Sequence, residues 1–142
     1  MTEDIQRLAD MAANIWEEAV HTGDVGFAIS IGDDEVEFFS PGKAAYAGYC
    51  RACIASLEDT PFPEPFAEEA LKGNFFWRGT NGATISYEKG DNTIWLTDRF
   101  DEGAFEDERA LRDYVDQFLG TLDAWRARLS LCLTENTEAK EA

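Results

Sequence analysis

The sequence predicts an α+β fold in which a long C-terminal helix packs on a twisted antiparallel sheet, in the element order α-β-β-β-α-β-β-α. The apolar pattern changes between helical periodicity and period two along the chain, and it ends in a helical repeat over residues 106–133. At 1.5 Å per residue, about 28 residues reach about 40 Å, so this helix needs a surface as broad as a sheet. A coiled coil is the alternative, but the repeat lasts only about three heptads. The apolar stripe comprises Leu111, Val115, Phe118, Leu122, Trp125, Leu129 and Cys132.

The N-terminal part of the chain predicts one helix and three strands. Apolar residues at helical spacing cover residues 3–21, with Gly23 as the stop. Alternation of period two then predicts strands over residues 25–31, 35–40 and 45–57, although the alanines of the third segment also suit a helix. Short connections between successive strands favour an antiparallel meander.

The second half predicts a short helix and a hairpin before the long helix. Prolines break the chain ahead of a helix over residues 66–72, which Gly73 ends. A Lys-Gly-Asp-Asn turn joins strands over residues 83–88 and 93–100. The three consecutive aromatic residues at 75–77 cannot all face one way, so at least one of them needs cover from elsewhere.

Charge is the unusual property of this chain. Its 142 residues include 12 basic and 29 acidic residues, for a formal net charge of -17. Such a surface repels nucleic-acid phosphates and anionic membranes, so neither is an expected partner. The hydrophobic content of 44% is too high for a disordered chain. We therefore predict a single domain over residues 1–134, followed by a polar, disordered tail over residues 135–142.

Cysteine usage and the absence of an apolar signal favour a cytoplasmic protein. The three cysteines are an odd number, which does not make a disulfide framework, and no apolar run is long enough to span a membrane. Cys50 and Cys53 form a C-x-x-C pair inside a predicted strand, where their sulfurs face opposite sides, so structural roles are favoured over redox chemistry. A helix there would place both on one face and favour the redox role. A zinc site would have to recruit Cys132 and His21.

Catalytic chemistry has little support in the residues. His21 is the one histidine, and its predicted place at the end of the first helix suits a local role at the carbonyl-rich terminus. The stretch from Gly79 to Gly82 lacks the lysine and hydroxyl residue of a phosphate loop. We predict no enzyme, and no catalytic, cofactor-binding or metal-binding residues.

One combination of residues in the second half resembles a known family. Asn74-Phe75-Phe76-Trp77 precedes Gly79-Thr80-Asn81-Gly82-Ala83-Thr84-Ile85, a short hairpin, and an acidic-started helix that carries Ala124-Trp125-Arg126 and Leu129. This pattern resembles the type III secretion chaperones of the Tir-chaperone (CesT-like) family. The resemblance is best over residues 66–131, and over residues 3–57 it rests on the order of elements.

The resemblance implies a homodimeric chaperone of secretion-chaperone-like fold, in the bacterial cytoplasm and without ATP chemistry. It implies binding of the N-terminal region of a secreted effector in extended form, which keeps the effector soluble and ready for export. By the same analogy, the short helix and nearby hairpin form the dimer interface, with candidates Phe75, Phe76, Trp77 and Trp95. The first helix and opening strands receive the effector, with candidates Ile15, Trp16, Phe27, Ile29, Phe38 and Phe39.

Three other functions remain open at this point. A YbjN-like bacterial signalling or regulatory protein would have the same fold. A redox protein would use Cys50 and Cys53. An acidic mimic of nucleic acid would block the basic site of another protein, and its binding would vanish in high salt.

Overall fold

The computed structural model describes residues 1–41 and 46–141, with side chains described as far as residue 134. A single-turn 3-10 helix follows each of the first two α-helices. The helices are α1 (Glu3–Trp16), α2 (Glu64–Asn74) and α3 (Glu108–Glu141), and the strands are β1 (Val20–Thr22), β2 (Gly26–Ile31), β3 (Asp34–Phe39), β4 (Gly48–Ser56), β5 (Thr84–Glu88) and β6 (Thr93–Phe100).

The strands form a six-stranded sheet in the order β1-β2-β3-β4-β6-β5, and the first four pair antiparallel with their chain neighbours. The α+β class is confirmed, and the predicted elements occur in the predicted order with one additional strand. The sequence prediction missed β1, which pairs with β2 and places Val20 opposite Ile29. β1 and β5 are the edge strands.

The predicted first helix over residues 3–21 is too long. α1 ends at Trp16, and Glu17 takes a left-handed backbone with φ 51°. The next residues fit this change, because Val20 and Thr22 are β-branched and favour a strand. Gly23 is therefore not a helix stop, and His21 lies on an edge strand instead of at a helix terminus.

The chain divides into two compact units, and the first comprises residues 1–52 and 97–117. Its core is aromatic and is centred on Phe38, whose ring stacks on Phe27 at 5.1 Å between centroids. The rings of Phe105 and Tyr114 meet Phe38 edge-on at 6.4 and 6.3 Å. α1 closes this unit with an apolar face of buried residues, Ile5, Leu8, Ala9 and Ala12.

The second unit comprises residues 53–96 and 118–142, and it is built around Trp125. The indole is 1% exposed and meets the ring of Phe66 edge-on at 6.0 Å. α2 carries Pro65 in its first turn, as the sequence predicted. It does not stop at Gly73, because the helix continues to Asn74 and the missing side chain makes room for the indole.

The periodicity of α3 was predicted correctly. Its first turn is capped by Asp107, whose Oδ1 accepts a hydrogen bond from the Ala110 amide at 2.8 Å. Every residue of the predicted apolar stripe is buried, with exposures between 0% and 5%. The backbone is helical to Glu141, but the structure describes no side chain of the predicted tail over residues 135–142. The predicted start of the third strand, at residue 45, lies outside the described residues. The single domain over residues 1–134 stays a prediction.

Candidate binding surfaces

An exposed aromatic cluster follows α2 in the second unit. We define it as Leu71, Phe75, Phe76 and Trp77, whose exposures are 73%, 67%, 68% and 43%. The rings of Phe75 and Phe76 meet edge-on at 4.7 Å. All three aromatic residues remain at least 43% exposed, although each large apolar ring gains free energy when it leaves water.

The backbone of the aromatic cluster is held in an unfavourable conformation. Phe76 and Trp77 have φ values of 51° and 56°, in the left-handed region that bulky residues avoid. Conformations of this kind cost about 1–3 kcal/mol each and persist where the surroundings fix them, often at functional sites. Here they direct two large aromatic side chains outward, which favours a binding role for the cluster.

Hydrogen bonds attach the cluster to the edge strand β5. The Asn74 side chain bonds to both backbone groups of Ile85, since its Nδ2 donates to the carbonyl at 3.1 Å and its Oδ1 accepts from the amide at 2.8 Å. The indole of Trp77 donates to Thr84 Oγ1 at 3.1 Å. These hydrogen bonds therefore fix the position of the segment that carries the aromatic residues.

The residues that carried the family resemblance come together in space. Trp125 Nε1 donates to the Gly79 carbonyl at 2.9 Å, and Asn81 Nδ2 donates to Thr121 Oγ1 at 2.8 Å. The buried hydroxyl of Thr80 donates to the Ala83 carbonyl within the same loop. The glycine-rich stretch and the distant tryptophan thus form one hydrogen-bonded unit between a turn and α3.

A second candidate surface is the outer face of β1–β4 in the first unit, opposite the face that carries Phe27 and Phe38. Strand register aligns four side chains across it: His21 lies opposite Ala28, Ala28 opposite Glu37, and Glu37 opposite Arg51. The next row places Phe39 between Gly26 and Tyr49. Small residues on β2 thus form a floor between taller side chains on β1 and β3.

This arrangement makes an open groove with a volume of about 370 Å³, which we call the outer groove. Its lining includes His21, Ala28, Glu35, Glu37 and Phe39. On one side, Arg51 Nε binds Glu37 Oε2 at 2.6 Å, and the same guanidinium lies 5.4 Å from the centroid of the Phe39 ring.

An aromatic ladder continues from the outer groove along the same face. Phe39 stacks on Tyr49 at 5.9 Å, and Tyr46 meets Tyr49 edge-on at 6.2 Å. The guanidinium of Arg99 lies 5.1 Å from the Tyr46 centroid. Few of these residues stood out in the sequence, since they become neighbours only through strand register.

The structure separates the six predicted effector-binding residues into two groups. Phe27, Ile29 and Phe38 are 4%, 0% and 0% exposed, because their side chains belong to the core of the first unit. Period two had identified an apolar face correctly, but α1 of the same chain covers it. Ile15, Trp16 and Phe39 are half-buried and remain available.

The predicted dimer residues are distributed differently. Phe75, Phe76 and Trp77 are exposed in the aromatic cluster, while Trp95 is half-buried on β6. Leu71 and Tyr87 were not predicted, yet both are exposed apolar residues of the same unit, at 73% and 43%. Leu71 and Phe75 are four residues apart, and this spacing in the sequence would have indicated that their side chains lie on neighbouring turns.

Comparison with protein families decides the relationship. The family model for the Tir chaperone protein (CesT) family matches residues 30–126, which is more than half of the chain. The chain belongs to the Tir chaperone (CesT) family. This family consists of type III secretion chaperones, so the resemblance noted in the sequence is confirmed. Neither the curated proteins nor the solved structures gave a match to the chain.

The matched span of this CesT-family chain extends beyond the residues that carried the resemblance. It begins at residue 30, inside β2, and so covers β3 and β4 as well as the glycine-rich stretch. It ends at residue 126, one residue after Trp125. Both halves of the hydrogen-bonded unit formed by Gly79 and Trp125 therefore lie within the family match.

The cysteines of this CesT-family chain occupy different environments. Cys50 and Cys53 lie on opposite faces of β4, as predicted, with Cys50 fully buried and Cys53 half-buried. Burial raises the pKa of the Cys50 thiol well above its ordinary value; the hydrogen bond with Tyr114 lowers it, and Asp98 raises it further. A protonated, buried thiol is a poor nucleophile.

Tyr114 extends this buried polar group. Its hydroxyl donates to Asp98 Oδ2 at 2.6 Å and shares a hydrogen bond with Cys50. Burial first, and then the neighbouring Cys50 and Asp98, raise the pKa of the Tyr114 hydroxyl. Among the described side chains, no three acidic, histidine or cysteine residues are grouped as metal ligands. No helix within residues 1–41 and 46–141 is both long and apolar enough to cross a bilayer.

Proposed function

We propose that this protein is an ATP-independent type III secretion chaperone that binds the N-terminal region of a secreted effector in extended form in the bacterial cytoplasm. The observation that carries the proposal is the family match over residues 30–126. Binding keeps the effector soluble and export-competent, because an unfolded apolar segment that is covered cannot aggregate. The formal net charge of -17 keeps the complex dispersed.

The aromatic cluster supports a homodimer. Leu71, Phe75, Phe76 and Trp77 are large apolar side chains that stay exposed close together in the chain, and exposed apolar patches commonly mark interaction sites. A two-fold symmetric dimer lets the same surface cover itself on both chains, which is the commonest form of homo-oligomer. In this proposal Trp95 packs beside the interface and the left-handed backbone at Phe76 and Trp77 fixes the rings before association.

The first unit supports the site for the effector. The half-buried side chains of Ile15, Trp16 and Phe39 offer apolar contacts, and β1 is an edge strand of three residues. An edge strand pairs with an added strand through its backbone, while pockets select alternate side chains. An extended segment is suited to both kinds of contact.

The experiment is capture of the tagged protein from the cytoplasm of its host, grown under conditions that express the secretion apparatus. We expect one dominant partner in a complex that contains two copies of this chain, as measured by native mass spectrometry. A homodimer that captures no secreted protein under these conditions would contradict the proposal and would favour a regulatory protein of the same fold.

A further inference from the structure

We propose that the outer groove binds an extended peptide segment that carries an apolar residue and a basic residue four positions apart. This inference rests on the proposed function, since it defines the chemistry of the segment that the chaperone accepts. The observations that carry it are the shape of the groove, the spacing of its side chains along β3 and its charge.

The shape of the outer groove suits an extended chain. Gly26 and Ala28 lie on one face of β2 and form its floor, while Phe39, Glu37 and Glu35 line it from β3. A larger side chain at Gly26 is excluded, because its Cβ would lie 2.0 Å from the Phe38 carbonyl oxygen. The floor therefore stays low at two successive outward positions of β2, Gly26 and Ala28.

The spacing of the groove wall fixes the spacing of the ligand. Phe39 and Glu35 are four residues apart on one face of β3, which corresponds to about 13 Å in a strand. An extended peptide has the same rise per residue, so side chains at positions i and i+4 share one face and reach both ends of this wall. One of them packs against Phe39 and the other meets Glu35.

The charges of the groove wall select the second side chain. Glu37 is neutralised by Arg51, which also covers part of the Phe39 ring. Glu35 is exposed. It makes no ion pair with any of the described side chains, which are those of residues 1–41 and 46–134. A lysine or arginine of the partner complements it, and its aliphatic stem lies over the small floor residues.

Two synthetic peptides of identical composition test the spacing. Each is a capped serine-threonine host with one leucine and one arginine, four positions apart in the first and three positions apart in the second. In an extended chain only the first peptide presents both side chains on one face. Chemical-shift titration of the labelled protein measures both affinities and locates the site. We expect shifts confined to β1–β3, and about threefold tighter binding of the first peptide, the scale of one exposed ion pair.

Variants identify the groups responsible. Glu35→Gln is expected to abolish the preference between the peptides, while Asp113→Asn removes another exposed carboxylate, on α3, and is expected to leave it unchanged. Ala28→Phe fills the groove floor and is expected to weaken both peptides. Equal affinity of the two peptides, a preference that survives Glu35→Gln, or shifts outside the groove at millimolar peptide would overturn the inference.

Two further outcomes separate this inference from the proposed function and from self-association. Normal capture of a secreted partner by the Ala28→Phe variant would overturn the inference and leave the chaperone function intact. Shifts of the groove resonances that depend on protein concentration without peptide would assign the groove to a second copy of this chain, and would also overturn it.

Discussion

The indole of Trp125 lies directly against the α-carbon side of Gly73. A β-carbon at Gly73 would be 2.3 Å from Trp125 Cζ2, which is closer than any real contact. Gly79 closes the same junction, since its own β-carbon would lie 2.9 Å from the Gly73 Cα, and its carbonyl accepts the indole hydrogen bond. This close approach explains why a glycine lies inside α2, where it would otherwise lower helix stability.

Substitution of this glycine tests the junction. Gly73→Ala is expected to lower the free energy of unfolding by about 1–3 kcal/mol, because the added methyl group overpacks the indole. Gly120→Ala is the matched control in α3, where a β-carbon meets no atom within 4 Å. It should raise stability by up to about 1 kcal/mol through helix propensity. Urea unfolding measures both, and equal effects of the two substitutions would contradict the packing account.

The aromatic cluster predicts the oligomeric state. Phe75→Ser and Phe76→Ser are each expected to shift the protein toward monomer, because each removes a ring that the second copy covers. Val25→Ser is the control, since it removes an apolar side chain that is 54% exposed in the other unit. Analytical ultracentrifugation over a concentration series measures the dimer. Unchanged dimerisation in both phenylalanine variants would exclude the cluster as the interface.

Stability is expected to fall at alkaline pH because of Cys50 and Tyr114. Burial raises both pKa values, so the folded state keeps two protons that the unfolded state releases. The contribution of Cys50 is lost as the pH rises above the ordinary thiol pKa of about 8.5, and that of Tyr114 above the ordinary phenol pKa of about 10, by up to about 1.4 kcal/mol per pH unit for each group.

The two cysteine variants separate this effect from general alkaline denaturation. In Cys50→Ala the decline of the urea midpoint between pH 8.5 and 10 should be shallower than in the parent protein. Cys53→Ala leaves the buried group intact and should keep the parent slope. A slope that is unchanged in Cys50→Ala would show that the buried thiol does not couple protonation to folding.

Thiol labelling tests the redox alternative. We expect Cys53 to react first with an alkylating reagent in the native protein, and Cys50 to react only on unfolding, because Cys50 is 0% exposed. Mass spectrometry of peptides after timed quenching gives the order. Rapid labelling of native Cys50 at neutral pH would revive a role in thiol chemistry.

Much of the fold could be predicted from periodicity alone. The α3 stripe and the alternation of Val36 and Phe38 with Glu37 and Phe39 appear in the structure as the sequence indicated. These patterns are local, since each requires only that one face of an element be apolar. The end of α1 was missed because it depends on the left-handed Glu17 and on the pairing of β1, which no spacing in the helix reveals.

The candidate surfaces could be predicted only in part. Three consecutive aromatic residues were conspicuous, and they are exposed. Phe27 and Phe38 were assigned to a binding surface because an apolar face does not reveal whether its own chain covers it. The sequence did not predict that four residues lie side by side across the sheet: His21, Ala28, Glu37 and Arg51. Residues that are distant in sequence can be recognised as neighbours only when the strand register is known.

Co-expression with the captured secreted protein, full-length or without its N-terminal segment, tests the proposed chaperone function most directly. We expect a stable complex with the full-length partner, in which hydrogen exchange slows along that segment and in β1–β3 of the chaperone. We expect no complex with the truncated partner. A complex that forms equally well without the N-terminal segment, or a partner bound through a folded domain, would contradict binding of an extended N-terminal region.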